Sequence, residues 1–468
     1  MPTENLVQAP DSDVELPRDR RAQSLSPTLT LVASLLGFAL IMLDASVVNV
    51  ALPSMGSDLG GGMAGLQWVV DAYTIAFAAL LLSTGAFSDR IGATRAYTAG
   101  IVLFTLASVA CGLAPNLPAL IGFRVVQGIA AAVVLPTTLA LVRQAYADPA
   151  QRGRAVSLWA AGGTTAAALG PVTGGALTTA WDWRAIFFIN LPVGLIALAL
   201  TFRAPRSARR PAPLDLPGQL TAVLALAALA FAVIEHGTLA LVALGVAVLS
   251  LAAFLRIESR HPHPVVPLGL FRNRTVAVAV TAGSALSVAF YGMIFVFSLF
   301  FQQVRDQSAL AAGLMFLPMT GLLVVVNVLS GRLANRYGPR LPMLTGQLLA
   351  VGGLLLLLFV DTDTSLVLTS LLLVPLALGA GLALPPLTAA MMEAVPTDRA
   401  GVAAGVLNAA RQVSGGLGVA AFGALVATGF EDGLRTSLAI SVALLALTAL
   451  ATTRLARGGP AAPSKDSD

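Results

Sequence analysis

The sequence predicts an all-α integral membrane protein of fourteen transmembrane helices with both termini in the cytoplasm. Three observations predict it. Of 468 residues, 57% are hydrophobic and 11% charged, with mean hydropathy +0.84, whereas soluble domains carry roughly 25% charged residues. The apolar residues fall into runs close to the roughly 20 needed to cross a hydrocarbon core about 30 Å thick. Basic residues also sort by side. With the N-terminus inside, the inside segments hold 23 Arg and Lys and the outside loops three, Arg184, Arg305 and Arg435. Such an excess is the positive-inside pattern.

In order, the expected spans are 29–53, 66–86, 97–115, 117–141, 154–180, 184–202, 217–236, 238–256, 275–303, 308–331, 341–360, 366–390, 401–427 and 435–454. The shortest connections are Asn116, between the third and fourth, and Gly237, between the seventh and eighth. Residues 1–28 are polar and acidic and read as a cytoplasmic tail without a removable signal peptide. The formal charge of +5 and a pI near 10.0 would suit a nucleic-acid binder, but the arginines cluster in short loops between apolar runs, so no nucleic-acid partner is expected. One cysteine, Cys111, excludes an intrachain disulfide, and three scattered histidines offer no metal site. No GxxxxGK[ST] loop is present, so ATP is not the expected energy source. No cofactor and no enzymatic activity are expected. The wealth of Arg, Ala, Gly and Pro is the bias of a GC-rich bacterial genome, which points to a bacterial inner membrane.

The chain repeats itself. Gly85, Asp89, Arg90 and Gly92 recur 246 residues later as Gly331, Asn335, Arg336 and Gly338. Leu135-Pro136 recurs as Leu384-Pro385, and the Arg152-Gly153 loop as the 398–401 loop. Three matches in one order indicate duplicated halves. The expected units are therefore a tail (1–28), a six-helix bundle (29–203), a linker with two extra helices (204–256), a cytoplasmic loop (257–274), a second six-helix bundle (275–456) and a tail (457–468). Duplicated membrane halves imply alternating access around a central site.

Several strings carry a family resemblance. Span 1 ends LDASVVNVALP (43–53), and the first loop reads GAFSDRIGATR (85–95). Span 4 carries RVVQG (124–128), span 5 GTTAAALGPVTGG (163–175), span 6 WDWRAIFFINLPVG (181–194) and span 13 NAARQVSGGLG (408–418). In this order the sequence resembles the major facilitator superfamily, in its fourteen-span drug:proton antiporter branch. The resemblance implies two six-helix bundles plus two extra helices, no cofactor beyond the proton gradient, and export of amphipathic drugs or antibiotics by a monomer in the lipid bilayer. Three departures stand out. Ala93-Thr94 precedes Arg95, so one expected basic residue of the loop motif is missing. Asn335 replaces the acid of the first loop copy, and the C-terminal half has no carboxylate within its spans.

Ionisable groups inside a membrane cost a few kcal/mol each and default to function. Asp44 in span 1 lies roughly 13 Å deep, Arg124 in span 4 roughly 10 Å and Asp71 in span 2 roughly 7 Å, all from the outer face. Asp44 reads as a proton-coupling carboxylate beside Arg124, or as a buried ion pair that fixes packing. Asp71 reads as a second coupling acid, or as a hydrated charge at a helix end. Arg411 in span 13 either meets helix-end carbonyls or attracts an anionic part of the substrate, with Asn408 one turn away on the same face. Gln127, Phe295 and Gln302, with Asn408 and Arg411, are expected to line a substrate cavity. Trp181 and Trp183 read as interfacial anchors.

Gly85, Asp89, Arg90, Gly92 and Arg95 read either as a conformational gate or as a turn bearing inside charge. Gly163, Gly170, Pro171, Gly174 and Gly175 form the antiporter-like motif, where small residues permit close helix approach and proline kinks the chain. The leading expectation is a proton-driven exporter; proton-coupled uptake of a small solute and a non-transporting membrane sensor are the alternatives.

Overall fold

A computed structural model describes residues 27–201, 215–235, 237–262, 264, 266–396 and 399–455. The expected C-terminal tail, most of the N-terminal one and the linker loop 202–214 lie outside them. Every described element is helical, and each of the fourteen expected segments contains helix. The N-terminal half comprises α1 (Pro27–Leu59), α2 (Gly62–Ile91), α3 (Ala93–Gly112), α4 (Leu117–Ala145), α5 (Pro149–Ala180), α6 (Ala185–Phe188) and α7 (Asn190–Thr201). Two further helices follow, α8 (Leu216–Ile234) and α9 (Thr238–Glu258). The C-terminal half comprises α10 (Arg274–Leu299), α11 (Ala309–Met315), α12 (Leu317–Tyr337), α13 (Arg340–Leu357), α14 (Leu366–Leu372), α15 (Val374–Glu393), α16 (Ala400–Thr428) and α17 (Phe430–Thr453).

Twelve helices among the described residues are long and apolar enough to cross a membrane by length and composition. The two remaining expected spans are α5, diluted by glycine and threonine, and the short pair α6–α7. Three expected single spans are broken helices, at Ile189, Phe316 and Leu373. Each break has the same cause. Pro192, Pro318 and Pro375 lie in the first turn of the helix that follows, where a missing N–H costs nothing, and each removes the donor that would have continued the helix before it. The first helix of the C-terminal half ends in a π-helical turn, Phe300–Val304.

The two shortest connections are true boundaries. The Asn116 side chain accepts from the Ala119 N–H at 3.0 Å, capping α4. Gly237 has φ +86°, a conformation that side chains with a Cβ rarely adopt, and α9 starts beside it.

Packing repeats between the halves. α1 lies on α5, α2 and α3 on α4, and α7 against α1 and α3. In the second half α10 lies on α16, α12 and α13 on α15, and α17 against α10 and α13. The halves meet along α2–α16 and along α5 with α11 and α12. α8 bridges that junction, touching both α2 and α16, and the Trp68 indole donates to Glu235 Oε1 at 3.1 Å beyond its end. α9 packs on α8 and leaves most of its leucines and valines exposed, as a lipid-facing helix does.

Candidate functional site

Arg124 and Asp44 form an ion pair of 2.6 Å with both side chains buried. The pair sits in a network. Asp44 Oδ2 accepts from Arg124, and Oδ1 accepts from Gln127 Nε2 at 3.1 Å and Asn190 Nδ2 at 2.9 Å. Arg124 also donates to Gln127 Oε1 at 2.9 Å and to the Val69 carbonyl at 3.1 Å, and its guanidinium lies 4.2 Å from the Tyr73 ring centre. Asn190 is held in turn by Ser108 Oγ at 2.9 Å. Five helices of one half thus supply the groups. A carboxylate removed from water needs this many donors, because each unmet charge in a low-dielectric interior costs several kcal/mol.

Gln127 was expected to line the cavity; it is instead fully buried in this network. Asn190, Ser108 and Tyr73 were missed from the sequence. The available signal was neutral and polar: an asparagine within an apolar stretch, inside the string 181–194.

Asp71 differs. It is fully buried, so it is not a hydrated charge at a helix end, and neither carboxyl oxygen has a hydrogen-bond partner among the described residues. It faces α16, where a Cβ on Gly416 would stand 3.2 Å from Oδ1. The interface where the two halves meet therefore contains an unpartnered carboxyl group, closed over by a glycine.

A cavity of about 1180 Å³ lies between the halves. α1, α2, α4 and α5, with Ala93 at the start of α3, line one side; α10, α12, α15 and α16 line the other. It reaches the surface at Arg143 and Gln144, both exposed, at the end of the molecule that carries the arginine-bearing loops. At the other end the halves are tied together. Ser298 Oγ donates to the Asn49 carbonyl at 2.8 Å, Gln302 Nε2 to the Val50 carbonyl at 3.0 Å, and Gln67 Nε2 to the Ala420 carbonyl at 3.0 Å. Beyond that closure, the Thr364 hydroxyl, bonded at 2.7 Å, holds the Asp361 carboxyl below the usual range.

Asn408 and Arg411 line the cavity as expected, but Phe295 and Gln302 do not. Phe295 is fully buried in the apolar core, and Gln302 is part of the closure. The rings that do face the cavity are Phe38, Phe77, Trp159, Phe290 and Tyr291, with Phe38 and Trp159 stacked at 4.2 Å. Asp44 does not line it. On α1 the cavity face is Phe38, Met42, Ser46 and Asn49, and Asp44 lies on the opposite face of the helix. Trp183 is no interfacial anchor either: it is buried and donates to Asp58 at 3.1 Å, while Trp181 is 76% exposed.

The loop motif forms the α2–α3 turn. Gly92 has φ +95° and Gly338, its repeat partner between α12 and α13, has φ +81°, so both copies use glycine for the same backbone need. Arg90 and Arg95 are exposed, and a Cβ on Gly85 would meet nothing within 4 Å. The Asp89 side chain lies outside the described residues. In α5, side chains at Gly163, Gly170 and Gly174 would run into Phe38, Ser46 and Val47 of α1, and Gly175 and Pro171 abut Ala309 and Gly313 of α11 across the junction. The motif lets α5 pack closely on both halves at once.

Two helical bundles of matching packing around a cavity open at one end define the class of membrane transporters built from internal repeats. Within that class, the chain belongs to the Major Facilitator Superfamily, whose sequence profile matches residues 34–419. It is 38% identical over 413 residues to the Multidrug resistance protein Stp of Mycobacterium tuberculosis, across 85% of this chain and 76% of that one. It is 36% identical over 397 residues to the Methylenomycin A resistance protein of Streptomyces coelicolor, across 83% and 84%. Among solved structures, a D-xylose–proton symporter shares the fold with TM-score 0.69 at 17% identity, over 92% of this chain and 98% of that one. A bacterial homologue of the lysosomal transporter Spinster, inward-facing and unoccupied, gives 0.66 at 18%, over 91% and 96%.

Proposed function

We propose that the protein exports amphipathic drugs or antibiotics from the cytoplasm by alternating access, with inward proton movement as the driving force. The observation that carries this reading is the cavity of about 1180 Å³, ringed by aromatic side chains from both halves and reaching solvent beside Arg143 and Gln144. The relatives, multidrug and antibiotic resistance proteins of bacteria by name, suggest the direction and the cargo class. The fold alone supports neither, since a sugar–proton symporter shares it.

On this reading the chain crosses the inner membrane fourteen times, with α5 and the α6–α7 pair completing the count, and works as a monomer. The arginine-bearing end is cytoplasmic, so the cavity faces the side from which cargo is taken. Asp44 is the principal coupling carboxylate, with Arg124 as its fixed counter-charge. Asp71 is a second acid whose unpartnered setting suits a neutral carboxyl while α2 and α16 are together, because an unpaired buried anion would cost several kcal/mol. Separation of those helices would wet it. The α2–α3 loop acts as the conformational gate.

Expression in an exporter-deficient host should lower cellular accumulation of an amphipathic dye, and a protonophore should restore it. Accumulation that is unchanged by expression overturns the export reading; reduction that survives the protonophore overturns the driving force. An alkaline phosphatase fused after Asp468 should be inactive, and an active fusion would rule out the fourteen-span topology.

A further inference from the structure

The described lining of the cavity is positively charged. Among the described residues that line it are Arg143 and Arg411, and no aspartate or glutamate. Arg143 stands at the exposed mouth, where water screens it. Arg411 lies deeper. Its stem packs against Gly283 of α10, its Nε is buried without a hydrogen-bond partner, and it makes no ion pair among the described residues.

A guanidinium does not deprotonate in proteins, so the buried Nε cannot be relieved by losing its proton. The other arginine in the membrane region shows what this fold does with a structural one: Arg124 is met by a carboxylate, an amide and a carbonyl. Arg411 is met by none of these. Asp71 is no substitute, since its oxygens take no donor and it faces α16 at Gly416, about 7 Å further along the helix axis. Among the described residues no group supplies the counter-charge, and the half-buried side chain faces the open cavity, from which a bound anion can supply it. Around Arg411 the cavity offers Asn408 and Gln412 as neutral hydrogen-bonding groups, and across it the stacked rings of Phe38 and Trp159.

We propose that Arg411 anchors a subsite for an amphipathic organic anion, an aromatic molecule bearing a carboxylate or an ionised phenol. Its acid group sits on the guanidinium beside Asn408 and its ring system on the aromatic wall. The inference rests on the export reading above and names the substrate class for it. A cationic drug of the same size would meet two like charges and no acid among the described lining residues, which disfavours it.

The test uses three probes that share one pyrenyl-alkyl frame and carry a negative, neutral or positive head group: pyrenebutyrate, pyrenebutanol and pyrenebutyl-trimethylammonium. Saturable binding is measured on the full chain in phosphatidylcholine nanodiscs, corrected for empty discs, and uptake is measured in everted vesicles. The wild type should bind the anion at least tenfold more tightly than the cation. Arg411→Gln should lose at least tenfold in anion affinity and stay within twofold for the alcohol, with Arg411→Lys recovering part of the loss. Equal or tighter binding of the cation overturns the proposal, as it would if Asp71 supplied the counter-charge in solution. Displacement of the anion by phosphatidylglycerol but not by unlabelled pyrenebutyrate also overturns it, assigning the site to a lipid headgroup. Should the cation or the alcohol be transported while the anion is not, the export reading stands and this proposal falls. If no probe binds or moves, both fall.

Discussion

The two halves share a packing plan and divide the chemistry unequally. In the N-terminal half the Asp44–Arg124 charges are paired behind α1, away from the cavity, while the Asp71 carboxyl lies unpartnered against α16. In the C-terminal half the one described charge in that region is unpaired and faces the cavity. The repeat makes the contrast concrete: the spacing that carries Gly153 onto Gly401 carries Gly163 onto Arg411, and both line the cavity. Duplication conserved the scaffold because helix packing depends on size and shape. The charges were free to diverge because nothing in that packing requires them. On the proposed reading, one half handles the proton and the other meets cargo.

Four experiments break or sharpen this division. Asp44→Asn keeps the shape of the side chain and removes the exchangeable proton. It should abolish gradient-driven transport in proteoliposomes, at least a hundredfold, while substrate affinity stays within about threefold. Unchanged transport would move the coupling role to Asp71. The second compares the two arginines. Arg124→Gln strands a buried carboxylate and should lower stability by about 3–5 kcal/mol, read as a fall in Tm and in monodisperse yield, with the double variant Asp44→Asn/Arg124→Gln recovering much of it. Arg411→Gln breaks no internal pair and should leave Tm unchanged or raised. A large loss of Tm there would mean that Arg411 is structural after all.

Third, Asp89→Asn should slow transport several-fold at unchanged expression, whereas Asn335→Ala in the other copy should have little effect. Equal loss of protein and activity would favour a simple turn. The smallest effect is expected at the repeated glycines. Gly92→Ala and Gly338→Ala each place a Cβ at positive φ and should cost about 1 kcal/mol, and by similar amounts, if the two turns are equivalent.

Much of the fold could be read from the chain because its dominant signals are long. Fourteen apolar segments and an arginine bias survive errors of a few residues, and every segment contains helix. The breaks at Ile189, Phe316 and Leu373 were overlooked although Pro192, Pro318 and Pro375 are plain in the sequence, because hydropathy is blind to a missing N–H. The Asp44–Arg124 pair was found since a charge in an apolar run is conspicuous. Asn190 and Ser108 are neutral and pass unnoticed, yet they hold the same carboxylate. Facing was least legible. Helix α10 is apolar all round, so nothing local distinguishes Phe290, which lines the cavity, from Phe295, which is sealed in the core; only the neighbours decide.

The unpaired arginine also has an electrical consequence. Moving one elementary charge through 100 mV is worth about 2.3 kcal/mol. A pump that trades one entering proton for one departing cation moves no net charge and draws on the pH difference alone. Trading that proton for a departing anion moves two charges in the same sense, roughly 4.6 kcal/mol at 100 mV. With Arg411 choosing the cargo, transport would be electrogenic. A potassium diffusion potential set by valinomycin, at equal pH on both sides, would then suffice to run it.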